Sequence, residues 1–250
     1  MADLEAAIEG NEIEVLFQPQ VEIATQSITG VEALARWRHP HLGELGPNGL
    51  LAIAAQSQMM TVLSRHIQDR ALSVAAHWPE TMSALRLSIN VTSEDIAEAA
   101  FVDDMLGRIE RTGFEAARLT LEITEANLID DLPKAAKRLE TLRGHGIRTA
   151  IDDFGTGYSS FAYLRALPVD ILKIDADFTQ AFANEAKARI IVSSFIALAR
   201  VLGLAVVAEG VETQEQLALL TREGCDYYQG FLCAEAIDST ALENLLKTRG

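Results

Sequence analysis

Short apolar segments that end in a carboxylate or an amide side chain recur along this chain. The pattern is clearest at Thr149-Ala150-Ile151, which is followed by Asp152, Asp153 and the glycine-containing run Phe154 to Ser160. Consecutive side chains of a strand point to opposite faces, so both aspartates can reach one site only where the strand gives way to a loop. Two adjacent carboxylates also repel each other unless a cation lies between them. The pattern therefore predicts a cation-binding pair of acids at the C-terminal end of a strand.

Other short apolar segments carry an acid or an amide in the same way. Together with the two aspartates these residues make a set of six oxygen donors: Glu32, Asn90, Glu122, Asp152, Asp153 and Glu209. Taken singly, each acid has an ordinary alternative as a helix cap or a salt-bridge partner. As a set at equivalent positions, they predict an oxygen-rich cluster on one rim of a barrel.

Eight strand candidates, with helical patterns between the later ones, predict the fold. The strands lie at residues 14–19, 28–36, 85–90, 119–123, 148–152, 171–174, 205–208 and 228–233. Three helical patterns are followed by glycines that end helices: 132–143 by Gly144, 191–202 by Gly203 and 213–222 by Gly224. This alternation predicts an α/β TIM-like (β/α)8 barrel whose active site lies at the C-terminal rim of the strands. About eight residues separate the first two strands, which suits a hairpin, so we expect an antiparallel first strand.

Composition limits the class of protein and its partners. At 250 residues and 49% hydrophobic content, without a Pro/Ser/Gly-rich linker, the chain is expected to form one domain over residues 1–250. The formal charge of −15 disfavours a nucleic-acid polymer as partner, because such partners are held by a cationic surface. The apolar stretches are far shorter than the roughly 20 residues that span a bilayer, and the start lacks the features of a signal peptide. We therefore expect a cytoplasmic domain without membrane contact.

Hard divalent cations such as Mg²⁺ and Mn²⁺ prefer oxygen ligands, so they suit the six donors. Five carboxylates carry too much charge for one ion, whereas two ions about 4 Å apart that share a carboxylate would balance it better. Asp152 is the candidate bridge. Lys173, within the apolar segment Ile171 to Ile174, is expensive to bury unless it meets anions, and this site would supply them. The alternative for Lys173 is a structural ion pair with Asp170 or Asp175.

The histidines and cysteines predict no second centre. His39-Pro40-His41 could suggest a metal pair, but the proline between them favours a structural role in a loop. Cys225 and Cys233 are too few for a disulfide framework or a zinc site, and we expect buried free thiols.

Several sequence blocks, in order along nearly the whole chain, resemble those of one known family. They are Gln18-Pro19, Glu32-Ala33-Leu34 with Arg36-Trp37, Leu121 to Glu125, Asp152 to Ser160, Lys173-Ile174-Asp175, Glu209-Gly210-Val211-Glu212 and Gln229-Gly230. The chain resembles the EAL-domain family of cyclic di-GMP phosphodiesterases. It departs from the family pattern at Cys233 to Ala236, near the substrate rim, and at Ala54-Ala55.

The resemblance implies hydrolysis of cyclic di-GMP to linear pGpG with two Mg²⁺ or Mn²⁺ ions, whereas Ca²⁺ is expected to inhibit. It makes the six oxygen donors metal ligands, and it assigns catalytic roles to Glu32, Asp152 and Lys173, of which Lys173 engages the attacking water. Gln18, Arg36 and Gln229 fall where the family contacts the dinucleotide. Glu125 falls where the family anchors the loop of residues 154–160, and Glu212 would be a supporting acid of the rim.

The resemblance also bears on partners. It implies a homodimer and a multidomain signalling protein, with fused sensor or GGDEF domains, from which this domain would be excised. The alternative to an enzyme is a non-catalytic cyclic di-GMP receptor that signals through a partner. We favour the enzyme, because inactive relatives generally lose metal ligands, the lysine or the loop, and this chain retains them.

Overall fold

The computed structural model of the chain describes residues 2–39, 41–124, 131–156 and 161–249. Within these ranges, the strands are β1 (Ile13–Glu22), β2 (Ile28–His39), β3 (Gly43–Leu45), β4 (Arg86–Val91), β5 (Leu119–Thr124), β6 (Arg148–Phe154), β7 (Ile171–Ile174), β8 (Ala205–Ala208) and β9 (Tyr227–Gln229). They form one sheet in the order β1-β9-β8-β7-β6-β5-β4-β2-β3, and β1 also pairs with β2. That last pairing closes the sheet, which confirms the predicted α/β barrel.

The first strand runs against its two neighbours. β1 pairs antiparallel with β2 and with β9, whereas β2 and the strands from β4 to β9 pair in parallel. The antiparallel first strand is therefore confirmed, and its cause is the short turn at residues 23–27, in which Gln26 adopts a φ of 59°. β3 pairs antiparallel with the end of β2. The sequence did not predict β3, because three residues are too few to show a period.

The helices are α1 (Ala2–Glu9), α2 (Pro47–Gln56), α3 (Met60–Ala76), α4 (Ser93–Ala97), α5 (Phe101–Thr112), α6 (Leu132–Gly144), α7 (Phe161–Ala166), α8 (Ala176–Phe182), α9 (Ala186–Leu202), α10 (Gln214–Glu223) and α11 (Ser239–Arg249). Gly203 and Gly224 end α9 and α10 in the left-handed conformation, as predicted. The predicted end of α6 was wrong by one residue, and the predicted position of the capping glycine was wrong by two. Gly144 still belongs to that helix, and the left-handed glycine is Gly146, with a φ of 87°. Among the described helices, none is long and apolar enough to cross a membrane.

The last strand is shorter than predicted. We expected it to run over residues 228–233, but β9 ends at Gln229, and the side chain of Phe231 is 62% exposed. At Gly230 the chain passes so close to Val211 that an added Cβ would lie 2.3 Å from the Val211 carbonyl oxygen. Only glycine fits at that contact, and the chain turns directly after it, where the Cys233 backbone amide donates to the Gly230 carbonyl at 3.0 Å.

The alternation of side chains along the strands separates the core from the site. On β5, Leu121 and Ile123 are buried in one apolar cluster with Leu139 and Leu142 of α6. Glu122 lies between them in the sequence, so it points the other way, into the barrel. Helices therefore cover the outer face of the strands, while polar side chains occupy the inner face near the C-terminal ends.

Candidate active site

The centre of the polar region is Lys173, whose side chain is completely buried. β7 carries it into the barrel, where four carboxylates surround its ammonium group. The distances from Nζ are 2.5 Å to Glu122, 2.8 Å to Glu209, 3.0 Å to Asp152 and 3.2 Å to Glu32. One positive charge thus faces four groups that can each carry a negative charge.

The alternative partners of Lys173 are engaged elsewhere. Asp170 contacts Arg143 at 3.2 Å and accepts a hydrogen bond from the Thr149 backbone. Asp175 is the N-cap of α8 and accepts from the backbone amide of Asp177. The structure therefore places Lys173 among the predicted acids of the rim, and not in a local ion pair.

The register of neighbouring strands brings the donors into one layer. Asn90 on β4 stands opposite Glu122 on β5, and Glu32 on β2 stands opposite Gln18 on β1. The Asn90 side-chain nitrogen donates to Glu32 Oε1 at 2.9 Å. Residues more than fifty positions apart in the sequence therefore contact each other at the rim.

A backbone irregularity brings the adjacent aspartates to the same site. The pairing of β6 with β7 shifts register between Ile151 and Phe154, and Asp153 takes the left-handed conformation with a φ of 52°. Its backbone amide donates to Asp152 Oδ1 at 3.0 Å. A regular strand would send the two side chains to opposite faces, so this irregularity is what allows both to face the cavity.

The acids form two groups of three that share Asp152. In each group, one oxygen per residue lies within 4.8 Å of the others: Glu32, Glu122 and Asp152 in the first, and Asp152, Asp153 and Glu209 in the second. This is the arrangement that suits two cations with one shared carboxylate. The donor chemistry fits hard divalent ions, since each group offers carboxylate oxygens and Asn90 adds an amide beside them.

Burial and mutual repulsion make several of these acids difficult to ionise. Burial, and then the neighbouring Glu32, raise the pKa of Glu122 to about 8. Burial, and then Asp152, raise the pKa of Asp153 to about 6. Burial also raises the pKa values of Asp152 and Glu209. The site therefore holds more negative charge than its surroundings compensate, and additional cations would relieve that excess.

Glu32 and Lys173 form the charged pair within this cluster. Burial opposes the charge on Glu32, but the Lys173 ammonium and hydrogen bonds from Gln229 and Asn90 outweigh it, so the pKa of Glu32 is lowered. Burial likewise opposes the charge on Lys173, yet the carboxylates, Asp152 first, hold its pKa well above the usual value. Glu32 is therefore ionised and Lys173 is protonated at neutral pH.

The predicted substrate-contact residues are not all in the same place. Gln229 donates to Glu32 Oε2 at 2.7 Å and to Gln18 Oε1 at 3.1 Å, and both glutamines line the cavity above the acids. Arg36 lies on β2 and donates to the adjacent Ala35 carbonyl, and it is not among the described residues that line the cavity. Glu212 is exposed at the cavity edge, 3.4 Å from Gln180. Glu125 lies outside the described residues.

The cavity measures about 420 Å³, with the acids at its base and apolar side chains elsewhere in its lining. The apolar lining includes Leu34, Pro47, Leu51 and Phe231. The sequence analysis assigned no separate role to these four residues or to Gln180. The position of Leu34 could have been predicted, since it shares the inner face of β2 with Glu32 two residues earlier. The position of Gln180 could not, because it is one polar residue of a short helix.

The remaining candidates have structural roles. His39 Nδ1 accepts hydrogen bonds from the backbone amides of His41 and Leu42 at 3.1 and 3.2 Å, so this histidine has a structural role, although it is the last residue of β2 and not part of a loop. Both cysteines are free, as predicted. Cys225 is buried, and burial raises its pKa to about 12, whereas Cys233 is only half-buried.

Comparison with known proteins gives consistent matches. The model of the EAL domain family matches residues 1–236. Cyclic di-GMP phosphodiesterase NbdA of Pseudomonas aeruginosa is 38% identical over 251 aligned residues, which cover 98% of this chain and 31% of that protein. The bifunctional diguanylate cyclase/cyclic di-GMP phosphodiesterase MucR of the same organism is 36% identical, over 96% of this chain and 35% of that protein. The chain thus spans about a third of the length of these curated relatives.

A solved structure matches over almost its whole length. It is the PaMucR phosphodiesterase in a complex with c-di-GMP, with a TM-score of 0.91 and 36% identity, and the match covers 96% of this chain and 98% of that one. The barrel is therefore similar to that of a protein solved with c-di-GMP bound.

Proposed function

The chain belongs to the EAL domain family, and on that premise we propose that it hydrolyses cyclic di-GMP to linear 5'-pGpG, which lowers the level of a bacterial second messenger. The observation that carries this proposal is the pair of three-carboxylate groups joined at Asp152. A cyclic dinucleotide brings two negatively charged phosphodiesters. It can approach this acidic floor only when cations neutralise the carboxylates.

Two Mg²⁺ or Mn²⁺ ions fit the donors. Glu32, Glu122 and Asp152, with Asn90, would hold one ion, and Asp152, Asp153 and Glu209 the other. When bound, such ions polarise a phosphodiester and lower the pKa of water. Calcium prefers longer bonds and more ligands, so we propose that it occupies the site without supporting the reaction.

The side chains of the chain would orient the reactants. Lys173, held protonated by the surrounding acids, is a donor for the oxygen of the attacking water and counters charge on the phosphate. Gln229 and Gln18 present amides at the cavity wall, where they would contact the dinucleotide. Attack on phosphorus in line with the 3' ribose oxygen breaks that P–O bond. The water loses a proton, the 3' oxygen gains one, and the phosphate remains on the 5' oxygen.

We also propose the setting in which the domain works. The domain would act in the cytoplasm as a homodimer, joined to sensor or GGDEF domains. The relative MucR supports the fusion, because it is a bifunctional diguanylate cyclase/cyclic di-GMP phosphodiesterase and this chain matches only 35% of it. Sedimentation of the purified chain with and without cyclic di-GMP tests the dimer.

Incubation of the purified protein with cyclic di-GMP and Mg²⁺ or Mn²⁺, followed by chromatographic separation of the nucleotides, tests the activity. We expect pGpG as product, none in EDTA, and unchanged turnover in the matched control Lys137→Met, whose side chain is exposed on α6. Binding of cyclic di-GMP without any pGpG would contradict the proposal and favour the non-catalytic receptor.

A further inference from the structure

Gln68 of α3 is a buried amide at the back of the candidate site, with 1% of its surface exposed. Its Nε2 donates to the backbone carbonyl of Asn90 at 3.2 Å. The same nitrogen lies 2.8 Å from Ser64 Oγ and 3.2 Å from Asp95 Oδ2. Gln68 therefore connects an outer helix directly to the end of β4, where Asn90 lies.

The other end of the Gln68 amide is held as well. Arg108 Nη1 on α5 donates to Gln68 Oε1 at 2.6 Å, and Arg108 Nε contacts Asp69 at 3.1 Å. Because a guanidinium only donates, it requires the amide oxygen on its side. The amide nitrogen must then face Asn90, so the orientation of Gln68 follows from its partners.

Asp95 ties the next residues of the same turn to this network. It accepts from Ser64 Oγ and from the Thr92 backbone amide, and Thr92 Oγ1 accepts in return from the Asp95 amide. This capping box starts at Thr92, two residues after Asn90, and caps α4. The backbone on both sides of Asn90 is therefore fixed, by β4 before it and by buried hydrogen bonds after it.

The Asn90 side chain extends from this fixed backbone into the candidate site. Its nitrogen donates to Glu32 Oε1 at 2.9 Å, which leaves the amide oxygen as the atom available to a cation. Nothing in the Asn90 side chain itself contacts Gln68 among the described hydrogen bonds. Gln68 can act on the site only by holding the backbone from which Asn90 extends.

We propose that Gln68 is a positioning residue, which with Ser64, Asp95 and Arg108 holds Asn90 in the geometry for binding a divalent cation. The inference rests on the proposed function of the same site, and it adds residues that lie outside the cavity. A buried glutamine has a cost unless its hydrogen bonds are made, and here the partners come from β4, α4 and α5 as well as from its own helix. Groups that orient a metal ligand typically change metal affinity by about 10- to 100-fold when they are removed.

The direct test measures Mn²⁺ binding without substrate. The electron paramagnetic resonance signal of free Mn²⁺ reports how much of the ion remains unbound. Gln68→Leu should raise the Mn²⁺ dissociation constant by about tenfold. In an Asn90→Ala background, the same substitution should change it by less than about twofold, because the residue through which Gln68 acts is gone. An equal loss in both backgrounds, or parental affinity in Gln68→Leu, would overturn the proposal.

Two further variants separate positioning from general loss of stability. Asp69→Asn removes the other partner of Arg108 but leaves the contact of Gln68 with Asn90, so it should lower the melting temperature and leave Mn²⁺ affinity within about twofold. Ser64→Ala removes one hydroxyl that contacts Gln68, and it should weaken Mn²⁺ binding by about threefold. If Gln68→Leu does not fold, the Mn²⁺ affinity of Ser64→Ala tests the proposal in its place. A loss of affinity in Asp69→Asn as large as in Ser64→Ala would contradict the assignment.

Hydrolysis by the parent protein is measured alongside, so the two proposals can fail separately. If the parent makes pGpG and Gln68→Leu keeps parental Mn²⁺ affinity and turnover, the proposed function stands and the positioning role fails. If the Mn²⁺ affinity of the parent depends on Asn90 and Gln68 as proposed but the parent makes no pGpG, the positioning role stands and the proposed function fails. A parent that binds no Mn²⁺ overturns both.

Discussion

The ammonium of Lys173 lies 3.0 Å from Oδ1 of Asp152, the carboxylate that the two candidate cation groups share. A single charge therefore contacts the residue on which both groups depend. In the metal-free protein this contact compensates part of the charge of Asp152, and Glu32, Glu122 and Glu209 contact the same ammonium. Lys173 thus compensates charge in the metal-free protein, and it is also the residue to which we assign a role in the proposed hydrolysis.

Replacement of Lys173 tests both roles. Lys173→Met keeps an unbranched side chain of nearly the same length but leaves buried carboxylates without their cation, so the free energy of unfolding of the metal-free protein should fall by about 3 kcal/mol. Turnover should also fall by at least about 100-fold, because the oriented donor is lost. Urea unfolding in EDTA and pGpG formation measure the two effects. Parental turnover in Lys173→Met would remove this residue from the mechanism.

The raised pKa of Glu122 predicts a pH dependence of the metal-free protein. Its folded pKa of about 8 lies above the ordinary value of 4.5, so between these values the folded state binds more protons than the unfolded state. Stability should therefore fall as pH rises through that window. The side chain in Glu122→Gln cannot titrate. In EDTA, the melting temperature of this variant should therefore rise relative to that of the parent between about pH 5 and about pH 8, which lies within the same window.

The matched control for Glu122 is Glu140→Gln, an exposed residue of α6. Its melting temperature should follow that of the parent at every pH, since an exposed substitution usually changes stability by less than about 0.5 kcal/mol. Parallel pH curves for the parent and Glu122→Gln would contradict the predicted titration.

Calcium should separate binding from hydrolysis. The two groups of carboxylates offer oxygen donors that suit Ca²⁺, but its longer bonds and higher coordination number should prevent the alignment of water with the phosphate. After contaminating Mg²⁺ and Mn²⁺ are removed, we expect the protein in Ca²⁺ to bind cyclic di-GMP without cleaving it, as measured by equilibrium dialysis. Addition of Mn²⁺ should then release pGpG. Rapid cleavage in Ca²⁺ alone would argue against two closely held small ions.

Phe231 is expected to contribute affinity without contributing stability. Its ring is 62% exposed in the lining of the cavity, and stacking of a base on an aromatic ring is worth about 1–3 kcal/mol. Phe231→Ala should therefore raise KM about tenfold, with kcat and melting temperature nearly unchanged. Leu42→Ala is the control, because Leu42 is 61% exposed and is not among the described residues of the cavity lining. An unchanged KM in Phe231→Ala would exclude the ring from substrate binding.

Local patterns in the sequence were sufficient for the barrel and for the choice of the rim acids. Apolar periodicity located the strands, the short connection between 19 and 28 predicted the antiparallel β1, and Gly203 and Gly224 marked the ends of two helices. These features depend on residues that are neighbours in the chain, and for that reason a single sequence displays them.

The tertiary structure alone decided the features that depend on distant residues. The close passage of Gly230 past Val211 joins two segments that are distant in the sequence, and the role proposed for Gln68 rests on partners on three other elements. The four contacts of Lys173 likewise join residues separated by up to 141 positions. The sequence determined that an interior lysine and several acids must find partners. The packing of strands that are distant along the chain decided which of these residues meet and how far burial shifts their pKa values. The reason is that electrostatic interaction and desolvation depend on distance in space.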